Sequence, residues 1–259
     1  MIDIAHYIDH TILKPTTTYI EINKICKEAI EYGFAAVCIP PPFVKAAFDL
    51  LTQQPARMNE GKMAAMGKNG AKAARPQVAT VIGFPFGYSV GKAKLAEVEQ
   101  ALADGADELD VVIDLIALRS GEWSLLTEEM EMLTGRIHAQ RATHSDRGTH
   151  NDTHSDRRIV KVIIESGILQ EEEIIRCCEI YGKLGVDFLK TSTGYAEKGA
   201  TLEAVQLMRR HLPAGIRIKA SGGIRTYNFA RQLIEAGADR LGCSASVEIV
   251  NGQPALTDY

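Results

Sequence analysis

Gly105-Ala-Asp-Glu-Leu-Asp110 recurs loosely along the chain as Gly33-Phe-Ala-Ala-Val-Cys38, Gly185-Val-Asp-Phe-Leu-Lys190 and Gly237-Ala-Asp-Arg-Leu-Gly242. Each copy stops a helical pattern at a glycine, which suits a left-handed residue just past the last turn, and then begins a short strand. Working outward, strands are expected at Tyr7–Leu13, Phe34–Ile39, Val78–Ile82, Glu108–Ile113, Ile159–Ile164, Asp187–Lys190, Ile216–Ala220 and Arg240–Gly242. Between them, Leu95/Val98/Leu102 and Leu202/Val205/Met208/Leu212 have the spacing of helices packed by one face. Strands apolar on both faces that alternate with helices point to a parallel sheet. Eight such units in about 250 residues fit an α/β fold of one kind, a single (β/α)8 TIM barrel spanning residues 1–259. A doubly wound open sheet is the alternative.

The repeats fall on strands two, four, six and eight. Alternate strands of such a barrel supply one interior layer, so Cys38, Asp110, Lys190 and Gly242 are expected to share one. Two of the four are ionisable, which is unusual for a packed interior.

Two stretches break the alternation and are expected to be polar surface insertions, 52–76 and 138–158. The first is rich in Lys and Arg among Gly, Asn and Ala. The second contains THSDR twice and four of the seven histidines. Neither has an apolar face to bury. A metal site in the second competes with the simpler reading of a solvated loop.

Composition narrows the function classes. Of 259 residues, 46% are hydrophobic, too many for a disordered chain. With 29 basic and 33 acidic residues the net charge is −4, so no nucleic acid and no anionic membrane is expected as partner. No apolar run is long enough to span a bilayer, and the opening MIDIAHYIDH lacks the basic segment of a secretory leader. Five cysteines without framework spacing suit reduced thiols and a cytoplasmic location.

Barrel enzymes gather their chemistry at the C-terminal ends of the strands. There Lys190 leads into Thr191-Ser-Thr-Gly194, Lys219 leads into Ala220-Ser-Gly-Gly223, and Asp110 lies in Glu108-Leu-Asp-Val-Val112. Two lysines and a carboxylate are the parts of a Schiff-base enzyme: one amine attacks a carbonyl, the second cation depresses its pKa, and the remaining groups move protons. A free lysine near pKa ~10.4 is neutral in only about one molecule in two thousand at pH 7, so a neighbouring cation and burial are needed. Lys161 competes for the attacking role, but it lies early in its strand, and alternation puts it on the same face as Glu165, so a buried structural ion pair is expected. Ser221-Gly-Gly223 and Gly242-Cys-Ser244-Ala-Ser246 follow the last two strands, the usual phosphate-binding position, and Thr193-Gly194 can line the same groove. No HxH, HExxH or Walker pattern is present, so neither metal nor cofactor is expected.

Together, Asp9-His-Thr-Ile-Leu-Lys14, Val81-Ile-Gly-Phe-Pro-Phe-Gly87, Glu108-Leu-Asp-Val-Val112, Phe188-Leu-Lys-Thr-Ser-Thr-Gly194 and Lys219-Ala-Ser-Gly-Gly-Ile-Arg225 resemble the deoxyribose-phosphate aldolases. The resemblance implies a cytoplasmic class I aldolase of deoxyribonucleotide breakdown, a homodimer or higher oligomer. It would interconvert 2-deoxyribose 5-phosphate with acetaldehyde and glyceraldehyde 3-phosphate. By matching motif, Lys190 would form the Schiff base, with Asp110 and Lys219 as the proton donor and acceptor pair. Asp9 and Cys38 would lie near the sugar, and Gly222, Gly223 and Ser244 near the phosphate. Tyr195 stands where some members have lysine, and Ala245 where many have serine. Fold and lysine pair alone also suit a related Schiff-base barrel with another carbonyl substrate, or an inactive sugar-phosphate binder.

The C-terminal Tyr259 is a further candidate. A short helix over Ser244–Val250 should stop at Asn251-Gly252, and seven extended residues beyond it reach up to roughly 23 Å. That length lets the phenol return to the mouth as a proton relay; an idle, frayed tail is the alternative.

Overall fold

The computed structural model describes residues 3–53, 75–139 and 158–253, and its eight parallel strands close into a barrel in sequence order. They are β1 (Ile8–Thr11), β2 (Ala36–Ile39), β3 (Gln77–Ile82), β4 (Glu108–Val112), β5 (Ile159–Ile163), β6 (Phe188–Lys190), β7 (Arg217–Ser221) and β8 (Arg240–Cys243). All eight expected strands are present, within two residues at each end. Pairing of β8 back onto β1 rules out the open sheet.

The helices form the outer layer: α1 (Tyr19–Tyr32), α2 (Val44–Gln53), α3 (Gly91–Ala103), α4 (Leu115–Arg119), α5 (Trp123–Ala139), α6 (Glu171–Tyr181), α7 (Leu202–His211), α8 (Tyr227–Glu235) and α9 (Ser246–Val250). Thr18 starts α1 with a capping box completed by Glu21. The helix then buries Ile22, Ile25, Cys26 and Ala29, an i, i+3, i+4, i+7 stripe against the barrel. α7 starts at the Thr201 cap and buries Val205 and Met208, with Leu212 just past its end, on the expected face. The main hydrophobic core therefore lies between barrel and helices, including Val111, Val160, Val162, Leu189, Ile218 and Leu241 on the outward side of the strands. α9 starts two residues later than its sequence suggests, after the Ala245 cap.

The repeat has a structural cause at each of its conserved-looking positions within this chain. Its four glycines all have left-handed backbone, with φ from 69° to 112°. In three copies the residue two places later is an aspartate at the foot of its strand. Asp107 accepts from Val78 N (2.9 Å), Asp187 from Val160 N (3.0 Å) and Asp239 from Ile218 N (2.8 Å), each on the preceding strand. These carboxylates fasten neighbouring strands where the ladder would otherwise leave a donor unmet. In the first copy Ala35 occupies the equivalent place.

Residues 54–74 and 140–157, most of both expected insertions, and 254–259, including Tyr259, lie outside the described residues. Their flanks are defined. Thr52 and Gln53 belong to α2 and His138 and Ala139 to α5, so each helix runs two residues into the expected insertion. Arg75 and Arg158, entering β3 and β5, both pair with Asp107 at 2.8 Å. Both connections therefore rejoin the barrel at the N-terminal ends of the strands, opposite the expected site.

Asp107→Ala should remove a charge-assisted bond to Val78 N and release both arginines, costing about 1–3 kcal/mol. In a chain of this size each kcal/mol lowers Tm by roughly 2–4 °C. Thermal unfolding should show that loss, while the catalytic rate at a permissive temperature stays within about twofold of the parent.

Candidate active site

Three successive tiers of four residues point into the barrel, below Val81 and the mouth. Hydrogen-bond registers drift by two residues between alternate strands, so residues of one tier are found by following that drift. The lowest tier holds Ala36, Glu108, Phe188 and Arg240. The middle holds Asp9, Ala79, Lys161 and Lys219. The upper holds Cys38, Asp110, Lys190 and Gly242, the set expected from the repeat. The lowest tier comes from the same repeat, three residues after each glycine.

The barrel interior has two unlike halves. Ala36, Cys38, Ala79 and Val81 on β2 and β3 form a small apolar cluster, with Leu13 and Phe84 packed at its edge. The remaining strands supply three carboxylates, Asp9, Glu108 and Asp110, and four cations, Lys161, Lys190, Lys219 and Arg240. Gly242 is required by close approach: a Cβ there would lie 2.8 Å from Ser221 Cβ and 3.2 Å from Lys219 Cε.

Asp110 is the hub. Its Oδ2 accepts from Lys190 Nζ (2.8 Å) and Lys219 Nζ (2.7 Å), and its Oδ1 from Lys161 Nζ (2.8 Å). Lys219 also pairs with Asp9 at 2.5 Å, and Lys161 with Glu108 at 2.5 Å. Arg240 closes the floor, donating from Nε to Asp9 (2.8 Å) and pairing with Glu108 at 3.1 Å. Lys161 is buried in ion pairs as expected, but its close partners are Asp110 and Glu108, while Glu165 on the same strand face bonds to Thr193 instead.

This wiring separates the lysines. Burying an ion costs several kcal/mol, whereas one opposite charge at about 4 Å returns roughly 4 kcal/mol at an effective dielectric near 20. Lys219 touches two carboxylates, and Lys161 touches two closely with a third, Asp9, at 3.8 Å. For both, burial works against the charged form, but Asp110 with Asp9, or Asp110 with Glu108, outweighs it and holds the pKa above the ordinary lysine range. Lys190 touches Asp110 alone. Burial pushes its amine below the ordinary range, the Lys219 ammonium adds to the shift, and Asp110 only partly opposes it. Burial would raise the Asp110 carboxyl, but Lys161, Lys190 and Lys219 together hold it well below the usual carboxylate range. Within the cluster the environment thus favours the carboxylate of Asp110 and the ammonium forms of Lys161 and Lys219, and Lys190 is the lysine shifted toward its neutral amine.

Other expected residues are placed less uniformly. Cys38 Sγ is 4.0 Å from Asp110, and burial pushes its thiol up. Asp9 lies one tier below Lys190, its carboxyl held low by Arg240, Lys219 and Lys161 despite burial. At the mouth, Gly194, Gly222 and Gly223 all have left-handed φ, from 76° to 88°. A Cβ on Gly222 would stand 3.0 Å from Gly199 Cα and 3.4 Å from Gly194 Cα, so the two loops meet backbone to backbone. Ser244 is exposed, one residue past the end of β8. Ser246, a possible second hydroxyl, is turned away: its Oγ contacts His10 Nδ1 (2.9 Å) and donates to Cys243 O. His10 Nε2 in turn pairs with Glu28, and none of the described residues forms a cluster of three or more metal-type ligands. Thr193 is buried, with its hydroxyl donated to Glu165.

Sequence reasoning missed Glu108 and Arg240 as members of the cluster, and it set Glu165 beside Lys161 and not against Thr193. The first two were marked by the repeat, since each lies two residues below an upper-tier position on its strand. Glu165 carried only the weaker signal of sharing a strand face with Lys161.

With the geometry in hand, three comparisons bear on the chain. The deoxyribose-phosphate aldolase of Thermococcus gammatolerans is 43% identical over 250 residues, covering 96% of each chain. The solved structure of QR15, an aldolase, superposes with a TM-score of 0.76 at 36% identity, covering 97% of this chain and 96% of its own. The deoxyribose phosphate aldolase of Aeropyrum pernix, described as a unique tetramer, superposes with a TM-score of 0.73 at 27% identity over 96% and 89% of the two chains. A family profile described as DeoC/LacD family aldolase matches residues 4–249. The chain belongs to the DeoC/LacD family of aldolases.

Proposed function

We propose that Lys190 carries the covalent step, and the single observation behind this is its position as the cation of the cluster with only one carboxylate contact. Its neutral amine attacks an aldehyde carbon, and a proton must reach the carbonyl oxygen while another leaves the nitrogen. Asp110, bonded to Lys190, accepts; Lys219, bonded to the same carboxylate oxygen, donates. Loss of water then gives the iminium, the electron sink for breaking a carbon–carbon bond. For a 2-deoxypentose held at C1, the C3 hydroxyl loses its proton, the C2–C3 bond breaks and its electrons form an enamine. Protonation at C2 and hydrolysis release a two-carbon aldehyde and restore the amine.

The apolar half of the barrel suits the methyl end of that fragment. Backbone N–H groups at Gly194, Gly222 and Gly223 suit a phosphate, because glycine turns leave N–H groups free of side chains at the mouth and successive N–H groups in a turn make an anion-binding concavity. Asp9 acts through Lys219, holding its proton, and Cys38 faces the sugar side of Asp110. The function supported best is reversible cleavage of 2-deoxy-D-ribose 5-phosphate to acetaldehyde and D-glyceraldehyde 3-phosphate, the activity named for the Thermococcus relative. We also infer one barrel domain over the whole chain, a cytoplasmic location and a homo-oligomer, the last supported by the tetramer described for the Aeropyrum relative. No helix among the described residues is long and apolar enough to cross a membrane.

Borohydride reduction in the presence of acetaldehyde should place a two-carbon label on Lys190, and EDTA should leave activity unchanged. Label on Lys161 or Lys219, or loss of activity with chelator, would overturn the assignment.

Asp110→Leu and Lys219→Leu should each lower kcat by roughly 10²–10⁴-fold. Lys219→Leu should also move the pH midpoint of Lys190 labelling upward, because it removes a cation that disfavours the Lys190 ammonium. Labelling increases with pH as the amine deprotonates, so at fixed neutral pH the variant should label more slowly. Unchanged turnover and midpoint would return both residues to a structural role.

A further inference from the structure

Glu165 is unusual on three independent counts. Among the described residues it is the one non-glycine with positive φ, at 54°. Its carboxyl is buried at the C-terminal end of β5, beside the lysine cluster but not part of it. It is also fully engaged with the neighbouring loop, accepting from Thr193 N at 3.3 Å and from the Thr193 hydroxyl. A bulky residue in left-handed backbone persists only where surrounding contacts hold it, and such residues concentrate at functional sites.

The contacts continue beyond Thr193. Thr193 Oγ1 accepts from Tyr195 N at 3.0 Å, and the Tyr195 hydroxyl donates to Leu13 O at 2.8 Å. The Tyr195 ring meets Phe84 edge-on, with centroids 5.3 Å apart. One hydrogen-bonded line thus runs from β5, through the segment after Lys190, to the loop after β1. Gly194 lies on this line, against Gly222. Ser166 N also donates to Thr191 O at 2.7 Å, so the two strand ends are joined at Thr191 as well as at Thr193.

We propose that Glu165 is a positioning residue for the phosphate end of the substrate, acting through Thr193 to fix the Thr193-Gly194-Tyr195 backbone opposite Gly222 and Gly223. The proposal rests on the aldolase reading above. Its carboxylate oxygens are committed to Thr193, which leaves proton transfer to Asp110 and Lys219. Burial holds the Glu165 carboxyl above its ordinary range, although its bonds from Thr193 and the charge of Lys190 oppose that shift.

The test uses Glu165→Gln, Glu165→Asn, Thr193→Val and the double variant Glu165→Gln/Thr193→Val. Each is assayed on 2-deoxyribose 5-phosphate and on unphosphorylated 2-deoxyribose. Asparagine tolerates left-handed backbone but is too short to reach Thr193, so Glu165→Asn separates the lost contact from misfolding. Each variant is expected to raise KM for the phosphorylated sugar at least tenfold, with kcat within about threefold. The kcat/KM for the unphosphorylated sugar should stay within about threefold. The double variant should be no worse than the singles, because one pathway has been cut twice.

Equal losses on both sugars, a fall in kcat at constant KM, or additive effects in the double variant would overturn the proposal. So would failure of Glu165→Asn as well as Glu165→Gln to fold, since that would make the contact structural. A parent enzyme inactive on 2-deoxyribose 5-phosphate would instead overturn the functional reading itself.

Discussion

Three lysines share one buried carboxylate, Asp110, and the arrangement of the barrel interior follows from keeping that group of charges tolerable. Asp110 cannot neutralise Lys161, Lys190 and Lys219 together. Asp9 and Glu108 therefore supply two further anions, and Arg240 bridges those two from below. One cation remains in excess, and it is the one at the top with a single carboxylate neighbour. A hydrophobic interior of the same volume would be at least as stable, since buried ion pairs seldom recover their desolvation cost. The stabilising apolar surface is instead concentrated outside the barrel, between strands and helices. That division lets the interior hold chemistry without the fold depending on it.

Geometry and reactivity are coupled through strand register. The drift of two residues between alternate strands brings Asp110 and Lys190 to one height and places Lys219 half a step lower, within reach of the same oxygen. A slip of one residue in β6 or β7 would turn its lysine outward into the apolar layer. The aspartates at the strand feet oppose such slips: Asp187 ties β5 to β6 and Asp239 ties β7 to β8. Structural carboxylates at one end thereby protect the alignment of functional ones near the other.

Much of this was readable before any coordinates, for a physical reason. The repeat is short and local, and four of its six positions answer to one requirement each: a left-handed cap, a foot carboxylate in three copies, a lower tier and an upper tier. The other two face the outer apolar core. Counting five residues from Gly105 and Gly185 reaches Asp110 and Lys190 without knowledge of anything distant. What escaped depends on contacts between elements far apart in the chain. Ser246 could serve a phosphate by position, but its pairing with His10 bridges β8 to β1 and appears only once the barrel closes. The partners of Lys161 depend on register with β4, not on its alternation with Glu165. The line through Glu165, Thr193 and Tyr195 joins three loops whose approach no periodicity encodes.

The central claim, that one lysine of three is set apart by its charge environment, can be measured on the free enzyme without substrate. Competitive acetylation across about pH 7–11, read by peptide mass mapping, gives each buried lysine its own midpoint. The account expects Lys190 to react first, with a midpoint below the ordinary lysine value of ~10.4, while Lys161 and Lys219 stay protected until the protein unfolds. A midpoint for Lys190 at or above that value, or earlier reaction at Lys161 or Lys219, would contradict it.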